Sequence, residues 1–191
     1  LLIAFPAAHS LVFKELYLPT AVLLISLVLR GVAFDFRAKA VFSHKATWNK
    51  VFKVGSLLAA LSQGYMLGMY VMGFQSTPAA YGFSLLSAFG VAAAYSYIGA
   101  CWLVMKTEGE LQQQAVNWAK KSGWVCFIGV VAVSVVNPAI NPSVFAKWFT
   151  WPNMALIAPL PIICFALFVI SDRLLKQLPL PGDKKCWLPF V

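Results

Sequence analysis

Charged side chains are scarce in this chain. Lys, Arg, Asp and Glu account for 11% of its 191 residues, whereas they make up about 25% of an ordinary soluble domain. Hydrophobic residues account for 61% of the sequence. This composition excludes an ordinary soluble domain and indicates a membrane protein. We predict an all-α fold, in the form of a polytopic transmembrane helical bundle.

Histidine is nearly absent, since His9 and His44 are the only two in the chain. A haem subunit needs axial ligands, usually His or Met, inside its helices. Met66, Met69 and Met72 form a stripe, but without a histidine partner we interpret this stripe as core packing. The four cysteines form no C-x-x-C pair and are interpreted as free thiols that pack as small hydrophobic residues. We therefore predict that this chain binds no cofactor and no metal, and we find no catalytic motif in it.

Positive charge, in contrast, is in excess. The chain has 15 Lys and Arg residues against 6 Asp and Glu, which gives a formal net charge of +9. In a soluble protein this excess could indicate a nucleic-acid partner. In a chain this apolar it indicates orientation instead, because cytoplasmic connections collect Lys and Arg. We predict no nucleic-acid partner.

Long apolar runs predict where the chain crosses the bilayer, since a helical span needs about 20 residues. We predict one transmembrane domain over residues 1–191, with partial spans at both ends and five complete spans at 16–36, 52–74, 82–105, 123–140 and 153–171. Because both ends lie in apolar runs, we interpret the chain as an internal fragment of a longer protein. Alternating spans would place thirteen of the fifteen Lys and Arg residues on one face, which is predicted to be cytoplasmic.

A polar segment, residues 107–122, separates the third and fourth predicted spans. Thr107 is a candidate N-cap, acidic residues follow it in the first turn, and Lys120 and Lys121 lie in the last turn. Such charges complement the dipole of a helix at both ends. We predict a separate capped helix on the cytoplasmic surface.

The stretch VLRGVAFDFRAK, residues 28–39, places four charged residues directly after an apolar run. In a continuing helix Asp35 and Lys39 stand at positions i and i+4, with Arg30 and Arg37 on a neighbouring face. One interpretation is a basic helix end that suits the helix dipole and the positive-inside rule. The other is a site of proton or ion uptake, because a carboxylate at hydrocarbon depth costs about 2.5–3.5 kcal/mol and usually marks a water path. The pattern leaves both interpretations open.

Small residues mark a second stretch, residues 55–74. Gly64 and Gly68 form a G-x-x-x-G pattern, which permits the close approach of two membrane helices. Gln63 is interpreted as a buried amide that could bridge helices. We predict that these three residues serve helix packing.

Three collinear stretches carry a resemblance to a known family. They are LRGVAFDFRAKA at 29–40, GSLLAALSQGYMLG at 55–68 and GACWLVMKTEGELQ at 99–112. In this order and at these distances they resemble subunit II of the cytochrome bd-type quinol oxidases. Their residues are most similar to those of the cyanide-insensitive branch.

The resemblance implies a role in the aerobic respiratory chain of a bacterium or archaeon. In this family a two-subunit core in the cytoplasmic membrane oxidises ubiquinol or menaquinol and reduces oxygen to water. Subunit I carries the quinol site and the haems, which are of b and d type or of b type alone. Subunit II is a multi-pass, haem-free partner, and the resemblance leaves open a small accessory subunit as a further partner. Protons come from the cytoplasm, so turnover is electrogenic.

The resemblance also assigns roles to residues of the 28–39 stretch. The family's arginine, acid and lysine match Arg30, Asp35 and Lys39, and the acid and lysine are implicated in the proton path at the subunit interface. Arg30 and Arg37 are interpreted as anchors of the helix end or of that interface. Two alternatives stay open, a secondary transporter with Asp35 or Gln63 as a ligand, and a purely structural membrane subunit.

Overall fold

The chain folds into long helices. The structure, a computed structural model, describes residues 6–41, 44–140, 145–146 and 159–177. Its long helices are α1 (Pro6–Lys39), α2 (Lys45–Val71), α3 (Pro78–Lys106), α4 (Glu110–Ile140) and α5 (Pro159–Gln177). The described residues contain no strand, so the predicted all-α fold is confirmed. By length and composition four helices in this part of the chain could cross a membrane, within α1, α2, α3 and α4.

Local chemistry sets the turn between α2 and α3. Gly73 has a φ of 64°, a left-handed conformation that costs glycine little. The Phe74 N–H donates to the Met69 carbonyl at 3.0 Å and the Gly73 N–H donates to the Tyr70 carbonyl at 3.1 Å, as in a Schellman motif. Next, the Thr77 hydroxyl accepts the Ala80 N–H at 3.3 Å and caps α3, which opens with a proline.

Helix α1 is longer than the sequence predicted. Residues 6–15, expected to belong to a separate partial span, continue directly into residues 16–36 within α1. Lys14 and Glu15 are good helix formers and do not interrupt the helix. Pro19 lies inside α1, where it removes one backbone hydrogen bond, a loss that membrane helices tolerate. Partial spans were predicted at both ends of the chain, and residues 1–5 and 178–191 lie outside the described residues.

Residues 107–122 do not form a separate helix, and this prediction was wrong. The Thr107 hydroxyl donates to the Leu103 carbonyl at 2.7 Å, so Thr107, the residue after the end of α3, bonds back to α3 instead of capping a new helix. Gly109, with a φ of 72°, makes the turn, and α4 then runs through Gly123 to Ile140. At about 1.5 Å per residue α4 exceeds the hydrocarbon thickness of about 30 Å, so its polar first turns extend beyond the apolar layer.

The fifth predicted span, 153–171, is described in part. Residues 159–171 are helical and belong to α5, which continues to Gln177. Residues 153–158 lie outside the described part of the chain. Asp172 and Arg173 fall within α5, so its final turns are too polar for hydrocarbon.

The chain divides into two compact units, Leu1–Ala92 and Ala93–Val191, and the boundary falls within α3. In the first unit α1, α2 and the beginning of α3 pack together, and the buried positions of α2 are mostly Gly, Ala and Ser. In the second unit the end of α3 packs with α4 and α5 around a core of buried residues. These are Ala100, Cys101, Val104, Ala115, Val116, Ala119 and Leu175.

Candidate functional site

Helices α1 and α2 approach each other closely at Gly55. A Cβ atom at Gly55 would lie 3.0 Å from the Ser26 carbonyl oxygen and 3.3 Å from the Arg30 backbone nitrogen. Ser26 is buried, and its hydroxyl donates to the Val22 carbonyl of its own helix at 2.6 Å. Ala33, two turns after Ser26, is completely buried. The face of α1 that carries Ser26 and Ala33 is therefore the face that packs on α2.

Two aromatic contacts extend this packing toward the α1–α2 connection. The Arg30 guanidinium carbon lies 5.8 Å from the centroid of the Phe52 ring, a cation–π distance. The Phe36 and Trp48 rings stack with centroids 5.0 Å apart. Arg30 thus contacts α2 through both its backbone and its side chain. The contacts of Arg30 with Phe52 and of Phe36 with Trp48 therefore join α1 to α2.

Asp35 and Lys39 lie on the opposite side of α1. Asp35 follows Ser26 by nine residues, about two and a half helical turns, so it points away from α2. Both side chains are exposed, and within the described part of the chain no ion pair joins them. Val28, seven residues before Asp35 and on the same face, is 64% exposed. The acid therefore stands at the end of an exposed apolar strip.

The four charged residues of the 28–39 stretch thus divide between two faces. Arg37 follows Arg30 by seven residues and shares its face, but its side chain is exposed at the end of the helix. Arg30 contacts α2 through its side chain, whereas the side chains of Asp35 and Lys39 are exposed. An aspartate on this outer face can exchange protons with water or with a neighbouring chain. The structure separates this acid from the residues that hold the two helices together.

Phe52 and Trp48 were not among the residues predicted from the sequence. A signal was available, because two aromatic residues at positions i and i+4 on α2 share one face of the helix. That spacing does not identify the contacted residues of α1, since α1 carries aromatic and aliphatic side chains on every face. The pairing required the tertiary structure.

Gly64 and Gly68 lie where α2 packs against the beginning of α3. A Cβ atom at Gly64 would lie 2.5 Å from the Ala88 Cα, and one at Gly68 would lie 2.5 Å from the Ser84 Cα. Both distances are too short for any side chain larger than hydrogen. Gln63, predicted to be buried, is instead exposed, because a residue next to Gly64 points about 100° away from the packed face.

Within the residues that the structure describes, no group of three or more His, Cys, Asp or Glu side chains could hold a metal ion. Cys101 is buried, Cys126 is half-buried and Cys164 is exposed, each as a free thiol. Met69 and Met72 are each 1% exposed, which agrees with core packing of the methionine stripe.

Comparison with known proteins gives a consistent result. The family described as cytochrome bd terminal oxidase subunit II matches residues 1–191. The chain is also 28% identical over 187 residues to the cytochrome bd ubiquinol oxidase subunit 2 of Bacillus subtilis (strain 168). That alignment covers 91% of this chain and 54% of the relative, so the chain spans about half the length of this curated relative.

Proposed function

The chain belongs to the family of cytochrome bd terminal oxidase subunit II, and we propose on this premise that it forms part of a quinol:oxygen oxidoreductase. In this proposal the complex oxidises ubiquinol or menaquinol and reduces oxygen to water in the cytoplasmic membrane of a bacterium or archaeon. Support comes from the family match over the whole chain and from four helices, among those described, that could span a membrane.

We place the haems and the quinol site on a partner, oxidase subunit I. The chain has only two histidines, and His44 lies exposed in the connection between α1 and α2. Haem iron needs an axial ligand held inside the protein, which an exposed histidine in a connection does not provide. The contribution of this chain would then be structural support of subunit I and the transfer of protons.

Asp35 is the residue proposed to take up protons from the cytoplasm. The observation that carries this proposal is its position on the face of α1 opposite α2, at the end of the strip that includes Val28. A carboxylate near the hydrocarbon boundary is costly unless water or a partner solvates it. Subunit I, packed on this strip, would enclose Asp35 in a path that leads from water toward the haems.

Lys39 and the arginines take different roles in this proposal. Lys39 lies one turn beyond Asp35, where its positive charge would stabilise the carboxylate and attract water. Arg30 anchors the end of α1 to α2 through Phe52. Arg37 is exposed and would anchor the interface with subunit I or with lipid headgroups.

Replacement of Asp35 tests the proton role. Asp35→Asn keeps the size of the side chain but removes its ability to ionise, so oxygen consumption by the purified oxidase should fall by roughly tenfold or more. Asp35→Glu should retain most of the activity. Glu110→Gln is a matched control, because Glu110 is an exposed acid at the start of α4 and should leave turnover unchanged.

Two readouts separate proton transfer from assembly. The Asp35→Asn oxidase should retain its haem spectrum and its content of both subunits. Unchanged oxygen consumption in this variant would rule out the proton role while leaving the family assignment intact. If the full-length protein purified from its membrane without a haem-bearing partner, the oxidase proposal itself would be refuted.

A further inference from the structure

A cavity of about 750 Å³ lies in the first unit, between α1, α2 and the beginning of α3. Lys14 and Glu15 of α1, Tyr65 of α2 and Tyr81 of α3 all line it. Glu15 precedes Asp35 by twenty residues, about 30 Å along the helix. The cavity therefore lies near the end of α1 that is opposite the proposed proton site, and it takes no part in that site.

The polarity of the lining changes along the cavity. Its charged and phenolic residues stand near the helix ends that face the α2–α3 turn, whereas Leu61 and Leu85 lie about one turn deeper and Phe89 about two turns deeper. The cavity is thus polar at one end and apolar over a further distance of about 12 Å. Leu85 is 54% exposed and Phe89 is 66% exposed, so the apolar part of the cavity is open at the outer surface of the helices.

The polar end carries both signs of charge. Lys14 provides an ammonium group and Glu15 provides a carboxylate, and both residues line the cavity. Tyr17, Tyr65 and Tyr81 line the same cavity, each with a phenolic hydroxyl. Phenolic hydroxyls donate hydrogen bonds and suit the boundary between lipid and water. The polar end therefore combines one cation, one anion and three phenolic donors.

We propose that this cavity binds one phospholipid with a zwitterionic amine headgroup, such as phosphatidylethanolamine. Lys14 and the tyrosine hydroxyls face the phosphate, the Glu15 carboxylate accepts hydrogen bonds from the lipid ammonium group, and an acyl chain lies beside Leu61 and Phe89. The cavity volume falls within the usual range of about 300–1,000 Å³ for ligand sites.

Charge complementarity is the reason for choosing this occupant. An anionic lipid with no amine would satisfy Lys14 but would bring a second negative charge toward Glu15. An uncharged amphiphile would leave both charges without a partner, which is unfavourable at the edge of hydrocarbon. A zwitterionic headgroup supplies one partner for each charge.

Native mass spectrometry of the full-length protein in its complex tests the proposal. The probes are phosphatidylethanolamine and phosphatidylglycerol, each added to the same detergent micelles. The wild-type protein should retain phosphatidylethanolamine in preference to phosphatidylglycerol. Glu15→Gln should lower the retention of phosphatidylethanolamine by about tenfold, the effect of losing one charge-assisted hydrogen bond.

Two further variants keep the test decisive. Tyr65→Phe preserves the ring and its packing, and should weaken retention of both lipids, because the hydroxyl is assigned to the phosphate that they share. The double variant Lys106→Met with Glu108→Gln is a matched control, since it removes one exposed cation and one exposed anion outside the cavity, and it should retain lipid as the wild-type does.

The proposal would be overturned if the wild-type bound no phosphatidylethanolamine, which would indicate that a protein segment fills the cavity. Equal retention by Glu15→Gln, or a preference for phosphatidylglycerol, would also overturn it.

Discussion

The two units of this chain hold their helices together in different ways. In Leu1–Ala92, α2 and α3 meet backbone to backbone, because a Cβ atom at Gly64 or Gly68 would lie only 2.5 Å from the opposing Cα atom. In Ala93–Val191, large rings fill the space between α4 and α5. Phe127 stacks on Phe168 with centroids 4.4 Å apart, and Trp124 meets the same ring at 5.4 Å.

This difference has a mechanical consequence. Membrane helices gain little from apolar burial against each other, so close packing and hydrogen bonds carry their association. Where backbones touch, an added methyl group can be accommodated only if a whole helix shifts. Where side chains touch, a ring can rotate or slide. We expect the first unit to be the less tolerant of added volume.

The largest effect is expected from Gly64→Ala combined with Gly68→Ala. Each added Cβ would overlap a backbone atom of α3, and overpacking of this kind costs about 1–3 kcal/mol per site. Thermal unfolding of the detergent-solubilised protein, followed by circular dichroism, should show a clear loss of stability. Gly82→Ala is the control, because a Cβ atom there meets nothing within 4 Å. A double variant as stable as this control would contradict the close packing of α2 on α3.

An intermediate effect is expected from Phe127→Leu. Leucine keeps an apolar side chain but removes the ring contacts with Phe165 and Phe168, which are worth about 0.5–1.5 kcal/mol per aromatic pair. The same unfolding measurement should show a moderate loss. Phe34→Leu is a matched control, since Phe34 is 65% exposed. If both variants lost the same stability, the aromatic cluster would not be what joins α4 to α5.

The smallest effect is expected from Gly123→Ala. A Cβ atom there would lie 3.0 Å from the Tyr97 Cε2 atom and 3.7 Å from Phe168, so it would meet side chains and no backbone. We expect a cost below about 1 kcal/mol, because alanine also improves helix propensity by a similar amount. Tyr97 and Ser171 hydrogen-bond through their hydroxyl groups, and a larger loss would mean that this bond fixes the ring. Gly99→Ala, with open space at its Cβ, is the control.

The sequence predicted the helical fold and the family, and both were confirmed. The predicted spans 52–74 and 82–105 overlap α2 and α3, whereas the prediction divided α1 and began a span at residue 123, within α4. The errors fall at Lys14 and at Lys120, where charged residues were interpreted as ends of membrane segments. Charge indicates where a helix leaves hydrocarbon, but a helix does not end there unless its backbone hydrogen bonds end too, as they do at Gly73.

The candidate site was predictable in part. The motif identified Asp35 and Lys39 as a set with Arg30, and their roles in proton transfer stay predictions. That Arg30 packs on Phe52 while Asp35 faces away from α2 could not be read from the sequence. Gln63 shows the same limit, because its polar side chain was taken as buried and lies exposed.

The sequence alone determined that this chain is an all-α membrane protein of the cytochrome bd oxidase subunit II family, because apolar content and motif order are properties of the chain itself. The tertiary structure decided which face of each helix meets a neighbour. In a soluble helix, contrast between polar and apolar faces reveals the buried side. Here nearly every face is apolar, so only the positions of the neighbouring helices distinguish a packing glycine such as Gly68 from an open one such as Gly82.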